Sequence, residues 1–520
     1  MNGPSPRFGS VDPAMQEFLT LLGVDVTYVR AEENTLTMLA DTGEEIPVID
    51  YAGGYGALVL GHNHPEVVAT VQSFLTARSP ILAQASRQPA AEGVITRLNG
   101  VIHREFGTDE AYHGVFSNSG AESVEVALKH AEFDRQLTIR ELLAEVEGHI
   151  GEARAAAARG AALPAQDADA GIEALIARIT EVNTSVAARP PLFLALEGSF
   201  HGKLVGSAQL THNADYRTPF AAMAGAARFV PFDEPERITK IAEEERAVLL
   251  DLRVDADRIR VVEREFPVIA AFFLEVIQGE GGIREVTAEA ARTIRQACTA
   301  IGCPVVVDEI QSGMGRTGAF FASSAIGLLP DYITLAKGLG GGVAKTALTL
   351  VSGARHRHEF DLVHTSTFAK DGLSLAVTHT VLDVLEAADG AAYRRAAERG
   401  ERLKELFGTL LADHPGVLRE TRGRGLMLGL EFRDLSDAPA PRLAEAARSG
   451  LLGYLLSGYL LRTHRIRTFP TASAVNTLRF EPSIYLTDAE ISALESALRD
   501  VCAKLGAQDE AAFFGPEKAA

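Results

Sequence analysis

The chain is poor in the residues that would mark it as a secreted protein or a binder of polyanions. Its 520 residues include three cysteines, Cys298, Cys303 and Cys502, and no tryptophan. The cysteines form neither a metal-binding spacing nor a disulfide framework, a pattern that fits a reducing cytosol. Positive charge is scarce as well: 50 Lys and Arg against 69 Asp and Glu leave a formal charge of −19. This argues against nucleic acid and anionic membranes as partners, so a bound phosphate would need local backbone donors. No apolar stretch is long enough to cross a bilayer. The opening MNGPSPRFGSVDPAMQEF has no basic segment leading into an apolar one, so no secretion signal and a cytoplasmic location are expected. The length predicts two domains, and 47% hydrophobic residues is ordinary for a globular protein.

What is present is concentrated between Pro304 and Gly342, PVVVDEIQSGMGRTGAFFASSAIGLLPDYITLAKGLGGG. Two short apolar runs, Pro304–Val307 and Tyr332–Ala336, end in Asp308 and Lys337. Such runs read as buried parallel strands, and ligands of open α/β sheets collect beyond the carboxyl ends of the strands. Gly338, Gly340, Gly341 and Gly342 leave the backbone there bare. An acid and an amine at that edge suit pyridoxal phosphate. The amine can form a Schiff base, and the carboxylate can keep the pyridinium nitrogen protonated so that the ring draws electrons. Alone, a strand-end Asp is commonly a helix cap and a strand-end Lys is commonly solvated. Only the pair in this order is specific.

VVVDEIQSGMGRTG followed by ITLAKGLGGG resembles the signature of the class III pyridoxal-phosphate aminotransferases, and the resemblance runs from about Asp50 to Thr487. It implies an α/β protein of fold type I, a large domain with a mostly parallel central sheet plus a smaller α/β domain. Residues 1–75 would join the small domain, 76–375 form the large one and 376–520 complete the small one. It also implies a homodimer with shared active sites. The activity implied is ping-pong transfer of an amino group from an amine or amino acid, with an ω-amine favoured, to an oxo acid, aldehyde or ketone. Aminomutase, racemase and decarboxylase chemistry are the alternatives on the same scaffold. No metal is implied.

Residue by residue, the resemblance assigns Lys337 as the reacting amine and proton carrier, Asp308 to the ring nitrogen and Gln311 to the phenolic oxygen. In YHGVFSNSGAESVEVALKHA a strand ends near Phe116 and a helix opens on Ser119, Gly120 and Ala121. Its outward N–H groups at the positive dipole end suit an anion, and the resemblance implies that Gly120 and Ala121 there would cradle the cofactor phosphate. In EGSFHGK, Phe200 would stack on the cofactor with His201 beside it, and Glu275 would support its hydrogen bonding. Lys203 stands where many relatives carry an arginine for the distal carboxylate of 2-oxoglutarate; a lysine keeps the charge and loses the fork. Tyr55, in DYAGGYG, would face the substrate. Glu280 and Arg479 would form a gate, closed for amines and opened by a carboxylate. Thr367, in HTSTFAKDG, would reach the phosphate across the dimer interface, although the family's Gly-Gly-Asn-Pro has become Ala369-Lys370-Asp371-Gly372.

The clearest departure is an extra segment at about 132–189. Two helix-forming stretches flank the breaker AALPAQDADAG, which predicts an inserted helical hairpin. It could cover the active-site mouth or a subunit boundary, or dock a carrier or partner protein. Elsewhere the sequence predicts a helix around 14–22 and a hairpin of Asn34–Asp41 with Glu45–Tyr51. It also predicts a helix from Leu375 to Ala412 broken near Gly390, a helix from Arg442 to Tyr459, and a frayed tail from Gln508.

Overall fold

The computed structural model describes residues 11–40 and 42–514. Met1–Ser10, Asp41 at the turn of the predicted hairpin, and Gly515–Ala520 lie outside the described residues. Seven strands form the central sheet in the order Tyr112–Ser117, Ala347–Ser352, Tyr332–Leu335, Val305–Asp308, Ile269–Glu275, Leu192–Leu196 and Ala227–Val230. The last five are mutually parallel, and Ala347–Ser352 runs antiparallel to both its neighbours. Every residue of Val305–Asp308 and Tyr332–Leu335 is buried, which is why these strands read as continuous apolar runs without alternation.

A second, antiparallel sheet joins Leu418–Arg424, Met427–Phe432, Thr477–Phe480 and Phe469–Pro470. A third joins the N-terminal strands Thr27–Glu32, Thr35–Leu39 and Glu45–Asp50 to Ile466–Arg467, which pairs parallel with Glu45–Asp50. The first of these strands is not predicted from the sequence. None of its residues is buried, so it carries no apolar signal. One apolar cluster runs from Ile333 and Leu348 in the central sheet, through Val381 and Phe407, to Leu478 and Phe480 in the second. That shared core fixes strand Thr477–Phe480 relative to the edge carrying Asp308 and Lys337.

The helix Gly372–Asp413 leaves helical geometry at Ala387–Gly390, at the predicted break. The single helix expected over 442–459 is instead two, Pro441–Arg448 and Leu452–His464, because Gly450 at φ 67° turns the chain between them. The tail does not fray at Gln508. Glu510–Phe514 is helical, Phe513 is buried with its ring 4.9 Å from Tyr459, and Glu510 accepts from the amide of Leu443 at 3.3 Å. The apolar anchor AAFF outweighs the chain-end tendency to fray.

The insertion forms two helical arms, but the first is no separate helix. Gly120–Ala158 is one 39-residue helix, about 58 Å long, capped at Ser119 by a reciprocal bond with Glu122. Gly171–Ala187 returns beside it. Both arms pack on an antiparallel ribbon, Val248–Asp255 with Arg258–Glu265, which the sequence does not predict. Ala153, Ala156, Leu175, Ile176, Ile179, Leu252 and Ile259 close a small core of their own there. Among the described residues, no helix is long and apolar enough to cross a membrane, and no group of three or more His, Cys, Asp or Glu is placed to hold a metal.

Candidate active site

Parallel register sets the site. Asp308 is paired with Glu275 on one side and Thr334 on the other, so two carboxylates stand level at the sheet's carboxyl edge. Lys337 follows strand Tyr332–Leu335 by two residues and holds a left-handed φ of 45°, uncommon for a residue with a side chain. Asp308, Glu275 and Lys337 line a cavity of about 560 Å³ together with Gly120, Ala121, Phe200, His201, Lys203 and Gln311. No residue of 132–189 lines it, so the expected cover over the mouth is not provided within this chain by the insertion.

Asp308 is held by three donors. His201 Nδ1 lies 2.8 Å from its Oδ2, while the amide of Ile310 (3.1 Å) and the hydroxyl of Thr334 (3.2 Å) donate to Oδ1. His201 is buried, which disfavours its charged form. The hydrogen bond to Asp308, with the charges of Asp308 and Glu275, outweighs that and raises its pKa above the ordinary histidine value. Glu275 accepts from the amides of Phe200 and Gly279, both at 2.9 Å. Burial still dominates its titration and pushes its pKa up to about 7; Asp308 adds to the rise, while His201 and the two amides oppose it.

Lys337 Nζ donates to Gln311 Oε1 at 2.9 Å, and Gln311 Nε2 donates to Glu481 Oε1 at 2.6 Å. Burial lowers the lysine's pKa below its usual value, against the charges of Glu481, Glu280 and Asp308. Arg479, buried on strand Thr477–Phe480, bonds Glu280, which also accepts from the amide of Ala472 at 2.7 Å. Arg479 donates as well to the carbonyl of Pro470 at 3.2 Å, but its Nε and Nη1 have no partner among the described residues. The ring of Tyr55 lies 5.1 Å from the guanidinium. Tyr55, Glu280 and Arg479 are grouped but are not wall residues of the cavity; the charges of Glu280 and Arg479 reach Lys337. Lys203 Nζ sits 4.0 Å from the ring centre of Tyr216, whose ring is 6.3 Å from that of Phe200.

Gly120 and Ala121 form the first turn of the long helix, where N–H groups lack intrahelical acceptors. Gly202, at φ 122°, brings its backbone close to that turn; a Cβ there would meet Ala121 Cβ at 2.7 Å. Thr367 is not at its own chain's cavity. It is exposed, and its carbonyl accepts from Gln84 Nε2 at 2.9 Å. Its neighbour Ser366 does reach the cavity rim, where Asn118 Nδ2 donates to its hydroxyl at 3.0 Å. In the altered loop, Asp371 caps the helix Gly372–Asp413 by accepting from the amide of Ser374 at 2.9 Å.

Two groups at the site are not singled out by the sequence, Glu481 and Tyr216. Glu481 had a signal, since it lies two residues beyond Arg479 and so shares its face of the extended chain. Tyr216 has none, because the short helix Ala214–Arg217 brings it against Lys203 and Phe200 without a local pattern.

The family model described as Aminotransferase class-III matches residues 23–498. Among solved structures, the ornithine aminotransferase from Toxoplasma gondii ME49 is 21% identical, with a TM-score of 0.66 over 93% of this chain and 92% of that one. A second structure of the Toxoplasma gondii enzyme, at 21% identity, TM-score 0.65 and the same coverage, has partial occupancy of PLP at its active site. The acetylornithine aminotransferase from Elizabethkingia anophelis is 19% identical, with a TM-score of 0.62 over 93% of this chain and 99% of that one.

Proposed function

The chain belongs to the class-III aminotransferases, enzymes that depend on pyridoxal phosphate, and from that premise we propose that it moves an amino group from an ω-amine donor to an oxo acid by a ping-pong sequence. The residues present fit the cofactor. A first-turn amide cradle, a thrice-bonded carboxylate and a cavity-lining amine surround one space of about 560 Å³. Gly120 and Ala121 would hold the phosphate, Phe200 the ring face, Asp308 with His201 behind it the ring nitrogen, and Gln311 the phenolic oxygen. Glu275 steadies the loop that carries Phe200. When bound, the cofactor supplies an electrophilic carbonyl and an electron-withdrawing ring.

The protein's own work is proton handling and sorting of carboxylates. Lys337 Nζ, kept less basic than a solvated lysine by burial, would hold and move the substrate's Cα proton. Glu280 and Arg479 act as the gate. An amine without an α-carboxylate leaves the pair closed, whereas an oxo acid displaces Glu280 and engages the guanidinium N–H groups now without partners. Two substrates of different charge then share one pocket. Lys203, resting on Tyr216, offers a distal carboxylate a point charge rather than a fork, which favours acceptors other than 2-oxoglutarate.

We infer a homodimer on the same footing. The short helix Phe360–Val363 and the loop after it, which carries Thr367, expose Leu362, Val363 and Phe368, apolar side chains suited to contact with a second copy that would receive Thr367 at its phosphate. The division into 1–75, 76–375 and 376–520 is supported by the pairing of Glu45–Asp50 with Ile466–Arg467. Three free, buried cysteines fit the cytoplasmic assignment.

The observation that carries the reading is the convergence of Lys337 and Asp308 on one cavity beside the Glu280–Arg479 pair. The test is a screen of terminal-amine donors against pyruvate and 2-oxoglutarate. Transfer from a terminal amine, with pyruvate preferred, is expected; transfer from α-amino groups alone would reject the ω-amine assignment.

A further inference from the structure

Glu481 is fully buried, yet among the described residues its carboxylate is in no ion pair within bonding distance. Its Oε1 accepts from Gln311 Nε2 at 2.6 Å, and Gln311 Oε1 accepts from Lys337 Nζ at 2.9 Å. The order of this relay is fixed by chemistry. A carboxylate can only accept, so the Gln311 amide must turn its NH2 toward Glu481 and its carbonyl toward the lysine. One N–H of Gln311 then remains for the cofactor's phenolic oxygen.

The glycine-rich DYAGGYG loop closes over this relay. A Cβ on Gly56, at φ 84°, would lie 3.1 Å from Gln311 Cγ and 3.2 Å from Glu481 Oε1. A Cβ on Gly53, at φ 49°, would fall 2.0 Å from the carbonyl oxygen of Glu481, whose amide donates to Tyr51 at 2.7 Å. Only bare backbone fits against the pair, so the glycines exclude water from a buried charge. Its balance is long-range: its charge acts on Lys337, on Arg479 and on buried Arg316, whose pKa burial lowers and Glu481 opposes.

We propose that Glu481 is a positioning residue for amino transfer, locking Gln311 with its carbonyl toward Lys337 and holding a fixed negative charge behind that amine. This rests on Lys337 being the reacting amine, as proposed above. Burial drives the lysine's pKa down, and Glu481 is the largest of the charges that resist the fall. Without Glu481, Gln311 is free to flip and present N–H groups to the lysine, and the freed amine becomes a weaker base for the Cα proton.

The experiment is competitive acetylation of the full chain stripped of cofactor, followed across pH by mass spectrometry of the peptide bearing Lys337. In Glu481→Gln the labelling curve of Lys337 should move down by about one pH unit, as expected for loss of a neighbouring buried charge. In the cofactor-loaded variant the acid limb of the donor half-reaction should move the same way. A folded Glu481→Gln protein that labels Lys337 with the wild-type profile overturns the proposal. If that variant does not fold, Gln311→Leu cuts the relay while keeping Glu481: a lowered labelling curve supports it, and an unchanged one overturns it. Failure of the broader reading would show separately, as loaded wild-type protein that transfers no amino group.

Discussion

The two ends of helix Gly120–Ala158 sit in opposite electrostatic settings. At the far end charges meet in pairs and triads. Arg154 forks onto Glu173 at 2.7 and 2.9 Å, Arg264 reaches Glu145 at 2.9 Å, and buried Asp251 is gripped by His149 at 3.0 Å and Arg264 at 3.3 Å. At the near end, buried polar atoms are left over: Arg479 Nε and Nη1, His201 Nε2 and Glu481 Oε2 have no partners among the described residues. A buried polar group without a partner costs roughly 1–3 kcal/mol, whereas an exposed ion pair is worth little. The insertion is therefore built for standing still. The sheet edge carries a folding penalty that a bound cofactor and substrate would relieve.

Substitutions at the two ends should separate accordingly. The largest effect belongs to Lys337→Ala, which should retain the fold and lose turnover by about 10³-fold or more; near-normal steady-state rates would dissolve the contrast. Next, Arg479→Lys keeps the charge and removes the fork. It should lower kcat/KM for an oxo acid by roughly 10²-fold while changing the amine half-reaction only a few-fold. Equal losses in both half-reactions would mean that the Glu280 gate does not sort substrates. Lys203→Arg should shift the ratio of 2-oxoglutarate to pyruvate use upward by about tenfold. An unchanged ratio would place Lys203 off the substrate's path.

A smaller effect separates the two ends by pH. Glu275 has its folded pKa raised to about 7 from 4.5, so the folded chain keeps a proton that the unfolded chain releases in that window. Stability from this group is full below about 4.5 and is lost as pH rises through 7. His201, raised above its ordinary 6.5, loses its share in the same direction at higher pH. Cofactor-free Glu275→Gln should therefore lose less of its unfolding midpoint between pH 5 and 8 than wild type, by a few degrees on the order expected for about 1–3 kcal/mol. Identical pH profiles would remove Glu275 as the source. At the bottom of the scale, Arg154→Ala in the insertion should leave both activity and midpoint unchanged within error, because its ion pair lies in solvent.

The central sheet and the Asp308–Lys337 edge were legible because fully buried parallel strands leave continuous apolar runs, and each run here ends in a charge. The helix opening at Ser119–Ala121 and the break near Gly390 were legible for equally local reasons. The long helix was misjudged at its start, since a cofactor-site helix and an insertion helix join with no breaker between them. The ribbon Val248–Asp255 with Arg258–Glu265 was missed because its burial follows the insertion's helices rather than the main core. Thr367 carried a motif, but its own chain does not bring it to the cavity. Tyr216 reaches the site through packing that no local periodicity reports, and Glu481 has only its spacing from Arg479 to mark it.

The central claim is that one amine, at the strand edge beside Asp308, captures the cofactor. Borohydride reduction of the loaded protein, followed by digestion and mass spectrometry, tests it directly. The account predicts a pyridoxyl adduct on the peptide carrying Lys337 and on no other lysine. An adduct elsewhere, or none from protein that transfers amino groups, would contradict it.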